Sequence, residues 1–109
     1  MKRYCLALDL VNDPALIAAY EGYHAAIWPE IQASIKQAGI EAMQIYRTGN
    51  RLFMIMEVNG SFSFEAKDLA DAANPKVQEW ETLMWKYQQA LPNAKPGEKW
   101  LLMDKIFEL

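Results

Sequence analysis

Two Asx-Pro dipeptides, Asp13-Pro14 and Asn74-Pro75, divide the chain into strands and helices. The Asp or Asn oxygen caps free backbone N–H groups, and proline fits the first helical turn. Ahead of the first dipeptide, Arg3–Val11 (RYCLALDLV) is short and nearly continuous in apolar residues, which predicts a strand. Behind it, Leu16, Tyr20, His24, Ile27, Ile31 and Ile35 recur at helical steps and share one face. Pro29 interrupts that face. It lacks a backbone donor and crowds the preceding turn, so a kink or restart is expected at Trp28-Pro29. Gly39 closes the segment as a C-terminal cap. Glu41–Thr48 and Arg51–Val58 then read as strands, joined by Gly49-Asn50 as a two-residue hairpin. Phe62–Ala72 is a weakly patterned helix. The second Asx-Pro opens a helix with Val77, Trp80, Met84 and Tyr87 on one face. Leu91–Gly97 is a loop, and Lys99–Phe107 (KWLLMDKIF) reads as the last strand.

The order is β-α-β-β-α-β, an α+β ferredoxin-like plan with both helices on one face of a four-stranded sheet. Residues 1–109 make one domain. Tyr4, Leu6, Leu8 and Leu10 alternate with Cys5, Ala7 and Val11; Leu52, Met54, Met56 and Val58 alternate with Phe53 and Ile55. Both faces of these strands are therefore apolar. Hydrophobic residues make up 52% of the chain, above the usual range for soluble domains. An uncovered apolar sheet face calls for a partner. The simplest is a second copy across a two-fold axis, giving a homodimer with the dimeric α+β barrel architecture.

Several function classes are excluded. The net charge is −3 with both signs interspersed, so nothing marks a nucleic-acid surface. Cys5 is the only cysteine, which rules out an internal disulfide, and the scattered carboxylates suggest no metal site. No Ser/His/Asp motif, P-loop or GxGxxG is present. No stretch is long enough for a membrane span. The opening MKRYCLALDLV is interrupted by Asp9 and lacks a small-residue cleavage site, so a cytoplasmic location is expected.

His24 is the only histidine. It lies four residues after Tyr20, so the two side chains stack on one helix face. A phenol beside an imidazole is an acid–base pair suited to proton transfer near neutral pH. The same His also suits a purely structural role, bonded to a carbonyl at a helix–sheet junction. Trp80 has two readings as well: a platform for the apolar side of a sugar ring, or a core residue packed on the sheet.

The stretch Tyr20-x3-His24-x2-Ile27-Trp28-Pro29-Glu30 resembles the L-rhamnose mutarotase family, small dimeric α+β barrel proteins that interconvert sugar anomers. Gly39, Ile45-Tyr46, the apolar third strand ending in Glu57, and Trp80 with Met84 extend the resemblance over nearly the whole chain. It implies that His24 is the catalytic proton donor, with Tyr20 at the sugar and Trp80 in the pocket wall. Glu81 stands where the family commonly has a second tryptophan, and Met43 where it has a sugar-contacting tyrosine. Trp80, Met43, Glu81 and Tyr46 are the expected substrate-binding set; Tyr46 and Arg47 are its weaker candidates, and strand alternation lets at most one of the two face the helices. The expected reaction is mutarotation of a deoxyaldose such as L-rhamnose or L-fucose, with no cofactor or metal. A haem-binding or cofactor-free oxygenase, and a non-catalytic ligand-binding barrel, are the alternatives on the same fold.

Overall fold

The chain runs β1 (Lys2–Leu10), α1 (Pro14–Ala25), α2 (Pro29–Gln37), β2 (Ile40–Thr48), β3 (Arg51–Val58), α3 (Phe64–Ala72), α4 (Pro75–Met84), β4 (Gln88–Gln89) and β5 (Leu101–Leu102). The structure is a computed structural model describing all residues, Met1–Leu109. Both Asx-Pro starts behave as their chemistry dictates. The Asp13 carboxylate accepts from the N–H groups of Ala15 and Leu16, and the Asn74 side-chain oxygen from those of Lys76 and Val77. At Trp28-Pro29 the chain restarts rather than kinks. Ala26 leaves helical geometry, and Trp28 is extended at φ −61°, ψ 135°, as a residue before proline prefers. The expected single helix is therefore two, with His24 in the last turn of α1.

The sheet order is β2-β3-β1-β4, with β5 also paired to β1, and every pairing is antiparallel. Thr48 faces Arg51 across the Gly49-Asn50 turn, so the hairpin forms at its expected register. The fourth strand differs from expectation. Of Lys99–Phe107 only Leu101–Leu102 pairs, against Ala7 and Leu6, and one further bond runs from the Met103 N–H to the Cys5 carbonyl. Gln88–Gln89 fills the other end of the same edge, opposite Leu10 and Asp9. The reason lies in the tail's pattern: Asp104 and Lys105 break its apolar run, and the chain beyond Met103 has no regular structure.

The helix-covered face is the core. Leu6, Leu8, Leu10, Leu52, Met54, Met56 and Val58 are all buried there, each contributing about 1.5–3 kcal/mol by area transfer for a fully buried aliphatic side chain. One cluster joins Leu10 and Leu52 to Tyr20, Ile31, Val77, Trp80 and Met84; a second joins Leu6, Met54, Met56 and Val58 to Ile40. Ile35, Ile45 and Trp100 pack against both. Gly39 is required where α2 turns into β2: its φ is +95°, and a Cβ there would lie 2.6 Å from Asn59 Oδ1.

The other sheet face is less apolar than the alternation predicts. Cys5, Ala7, Phe53 and Ile55 are half-buried, but Asp9 is also on this face and buried. Its carboxylate takes two bonds, 2.7 and 3.1 Å, from the guanidinium of Arg51, its cross-strand partner. A buried carboxylate needs such a bidentate partner. Beside this face Tyr46 and Met103 are exposed, and so, further along the tail, are Ile106, Phe107 and Leu109. No helix is long and apolar enough to cross a membrane.

Candidate active site

The site is built on the last two turns of α1. Tyr20 is 3% exposed and sits in the core cluster. Its phenol oxygen accepts a hydrogen bond of 3.3 Å from the Gln88 amide. Burial pushes the Tyr20 phenol pKa above its ordinary value, and the Gln88 bond offsets part of that rise. The phenol therefore keeps its proton at neutral pH, and with one lone pair taken by Gln88 its own O–H is free to donate.

One turn on, His24 Nδ1 lies 2.9 Å from the Tyr20 carbonyl oxygen. A carbonyl only accepts, so Nδ1 is the donor in the neutral and the cationic imidazole alike. Proton exchange is thereby confined to Nε2. The ring is also held by its neighbours: its centroid is 4.4 Å from that of Tyr20 and 5.6 Å from Trp80, which it meets at 66°. Trp80 in turn packs edge-on against Trp28 at 5.1 Å and Tyr23 at 6.3 Å. Both sequence readings of His24 therefore have an observation behind them. The carbonyl bond is the structural one, and it is also what fixes the ring for chemistry at Nε2.

These groups open on a cavity of ≈ 680 Å³, within the range of small-molecule sites. Tyr20, His24, Met43, Trp80 and Glu81 all line it, so five of the six expected residues are brought together. Tyr46 is not. It projects from the opposite sheet face and is 59% exposed, because Ile45 takes the cavity-facing position on β2. This corrects its expected place among the substrate-binding residues, and the cause is strand alternation. Arg47 is on the helix side but engages Glu21 at 3.1 Å and the Gly49 carbonyl at 2.8 Å. Trp80 is core and cavity wall at once.

The rest of the wall was not expected. Met54, Met56 and Leu6 form an apolar floor from the sheet. Lys67 and Asp71, four apart on α3, make a half-buried ion pair at the rim. Lys99 Nζ reaches the Glu81 carbonyl at 3.4 Å; burial lowers the Lys99 pKa, while the Glu81 charge partly restores it. Gln88 lies in a two-residue strand that no periodicity announces. Trp100, packed against both core clusters, also lines the cavity. Both charge signs thus share the rim above an apolar floor, which suits a neutral ligand with one apolar side better than an anion. No group of three or more His, Cys, Asp or Glu side chains gathers to hold a metal.

Comparisons with known proteins identify the family. A model of the L-rhamnose mutarotase family matches residues 3–109. An L-fucose mutarotase of Xanthomonas campestris pv. campestris is 49% identical, over 100% of this chain and 89% of its own. An L-rhamnose mutarotase of Phocaeicola vulgatus is 33% identical, over 88% of each. Among solved structures, an L-rhamnose mutarotase from Formosa agariphila superposes with a TM-score of 0.73 at 22% identity, covering 100% of this chain and 99% of that one. Tetracenomycin F2 cyclase from Streptomyces glaucescens shares the fold at a TM-score of 0.59 and 19% identity, covering 100% and 97%. Two such different names on one fold mean that the site, not the fold, must carry the functional argument.

Proposed function

The chain belongs to the L-rhamnose mutarotase family, and on that premise we propose that it interconverts the α and β anomers of L-fucose. It is an isomerase. The observation that carries the mechanism is the bond from His24 Nδ1 to the Tyr20 carbonyl, which leaves Nε2 as the exchanging atom beside a protonated phenol. The choice of sugar is supported by the identity of 49% to the L-fucose mutarotase against 33% to an L-rhamnose mutarotase. An apolar floor of Met43, Met54 and Met56 suits the methyl group of a 6-deoxy sugar.

Mutarotation opens a cyclic hemiacetal and closes it on the other face of C1. Opening needs a proton taken from the anomeric hydroxyl and one given to the ring oxygen. In this reading the bare Nε2 of neutral His24 takes the first, and the Tyr20 O–H supplies the second. The Gln88 N–H then faces the developing phenolate. Closure runs the same path backwards, so His24 becomes the proton donor to the aldehyde oxygen. The resemblance makes His24 the proton donor; in this reading it donates on closure, and Tyr20 supplies the ring-oxygen proton on opening.

The same reading extends to assembly and location. A homodimer would cover the half-buried Phe53 and Ile55 and the exposed Tyr46 and Met103. Light scattering during size exclusion tests it: a mass of one chain would count against the dimer. A cytoplasmic enzyme is proposed on the same footing. The test of function is NMR exchange spectroscopy on L-fucose and L-rhamnose. Faster anomer exchange on L-fucose supports the proposal. Faster exchange on L-rhamnose alone would return the substrate to the sugar in the family's name.

A further inference from the structure

Gln88 is the one polar side chain in the cavity wall whose hydrogen-bonding capacity is left unused in the interior. It is 7% exposed, on the short strand beside Leu10. Its amide nitrogen is spoken for by the Tyr20 phenol oxygen. Its Oε1 is buried with no hydrogen-bond partner, the only side-chain nitrogen or oxygen in the molecule so placed. A buried carbonyl oxygen without a donor is costly, and native interiors rarely keep one without a use. The residue lines the same cavity as His24 and Tyr20.

We propose that Gln88 is a substrate-binding residue: its Oε1 accepts a hydrogen bond from a sugar hydroxyl while its amide N–H holds the Tyr20 oxygen. This rests on the mutarotase reading and deepens it, because one amide then links substrate recognition to the aim of the acid. A bound sugar that brings a hydroxyl to Oε1 completes the amide. A sugar lacking that hydroxyl leaves it buried and unpaired, and this is the arrangement that discriminates most strongly between close analogues. Chemically, the ligand class is a neutral polyol ring with a donor hydroxyl near the Tyr20 end of the cavity.

The test compares wild type with Gln88→Met, which keeps the length and removes both polar atoms. Anomer exchange is measured by NMR on L-fucose and on its 2-, 3- and 4-deoxy derivatives. Wild type should be slower on one deoxy derivative by about 10- to 100-fold in kcat/KM, the usual effect of leaving a buried partner unpaired. Gln88→Met should turn over that derivative and L-fucose alike, with a raised KM for L-fucose. Its melting temperature should stay within a few degrees of wild type, since removal of the unmet Oε1 offsets the loss of the bond to the Tyr20 oxygen. Equal losses on all four sugars, or unchanged discrimination, would overturn the assignment. If wild type accelerates none of them, the mutarotase reading has failed, and sugar titration followed by NMR carries the test of Gln88. Weaker binding by Gln88→Met would still support its contact, and equal binding would overturn it.

Discussion

The His24 imidazole is tied through Nδ1 to the backbone carbonyl of Tyr20, the residue whose phenol lies beside it. One helical turn thus holds the phenol, the imidazole and the bond that sets the imidazole's tautomer. The pairing needs only the four-residue spacing on α1, which ends one residue after His24, at Ala25, before the restart at Pro29.

Tyr20→Phe keeps the ring and removes the hydroxyl. Exchange on L-fucose should fall about 10²-fold or more, the scale of losing one positioned acid. The pH dependence carries a sign. The folded pKa of Tyr20 is raised, so the folded state favours the protonated phenol. Its contribution to stability is complete below the ordinary phenol value of about 10 and is lost as pH climbs through the folded value. Thermal melts across alkaline pH should therefore decline more steeply for wild type than for Tyr20→Phe. Parallel declines would show that Tyr20 is not the group responsible.

Met43 and Glu81, the positions where the family resemblance implies Tyr and Trp, both line the cavity. The double variant Met43→Tyr with Glu81→Trp should shift the ratio of kcat/KM from L-fucose toward L-rhamnose. A shift of about tenfold is about 1.4 kcal/mol of differential binding. An unchanged ratio would place specificity elsewhere in the wall.

Tyr46→Phe should leave anomer exchange unchanged, because the ring lies on the far side of the sheet from His24. Kinetics on the purified variant check this. A selective rise in KM would mean that a second copy brings the Tyr46 hydroxyl to a site.

Gly39→Ala should destabilise the fold by more than about 1 kcal/mol. The position has φ +95°, and the added methyl meets Asn59 Oδ1 at 2.6 Å. A chemical denaturation midpoint equal to wild type would contradict the tight α2–β2 turn.

Much of this molecule was legible in the residues. Capping chemistry and proline placed α1, α2 and α4, and the Gly49-Asn50 turn placed the hairpin to the residue. The site was legible in outline because Tyr20, His24 and Trp80 lie on amphipathic helix faces, and a face that packs on a sheet must meet it. Alternation allows only one of Tyr46 and Arg47 on the helix side, and choosing between them needs the register, which a local bulge near Ile40 and Ala42 alters. Gln88 was invisible for a different reason. A polar residue in a two-residue strand carries no periodicity, and its position is set by the edge of β1 rather than by its neighbours in sequence. The tail was overread because apolar residues signal burial without saying which chain provides it.

The central claim is that His24 moves the proton, and His24→Ala tests it most directly. Anomer exchange of L-fucose is followed by NMR for wild type and variant at equal concentration, with melting curves recorded on both. Wild type should accelerate exchange and His24→Ala should lose about 10²–10⁴-fold, the range of general acid–base catalysis, while melting near the wild-type temperature. A folded His24→Ala protein that still accelerates exchange at the wild-type rate would contradict the account.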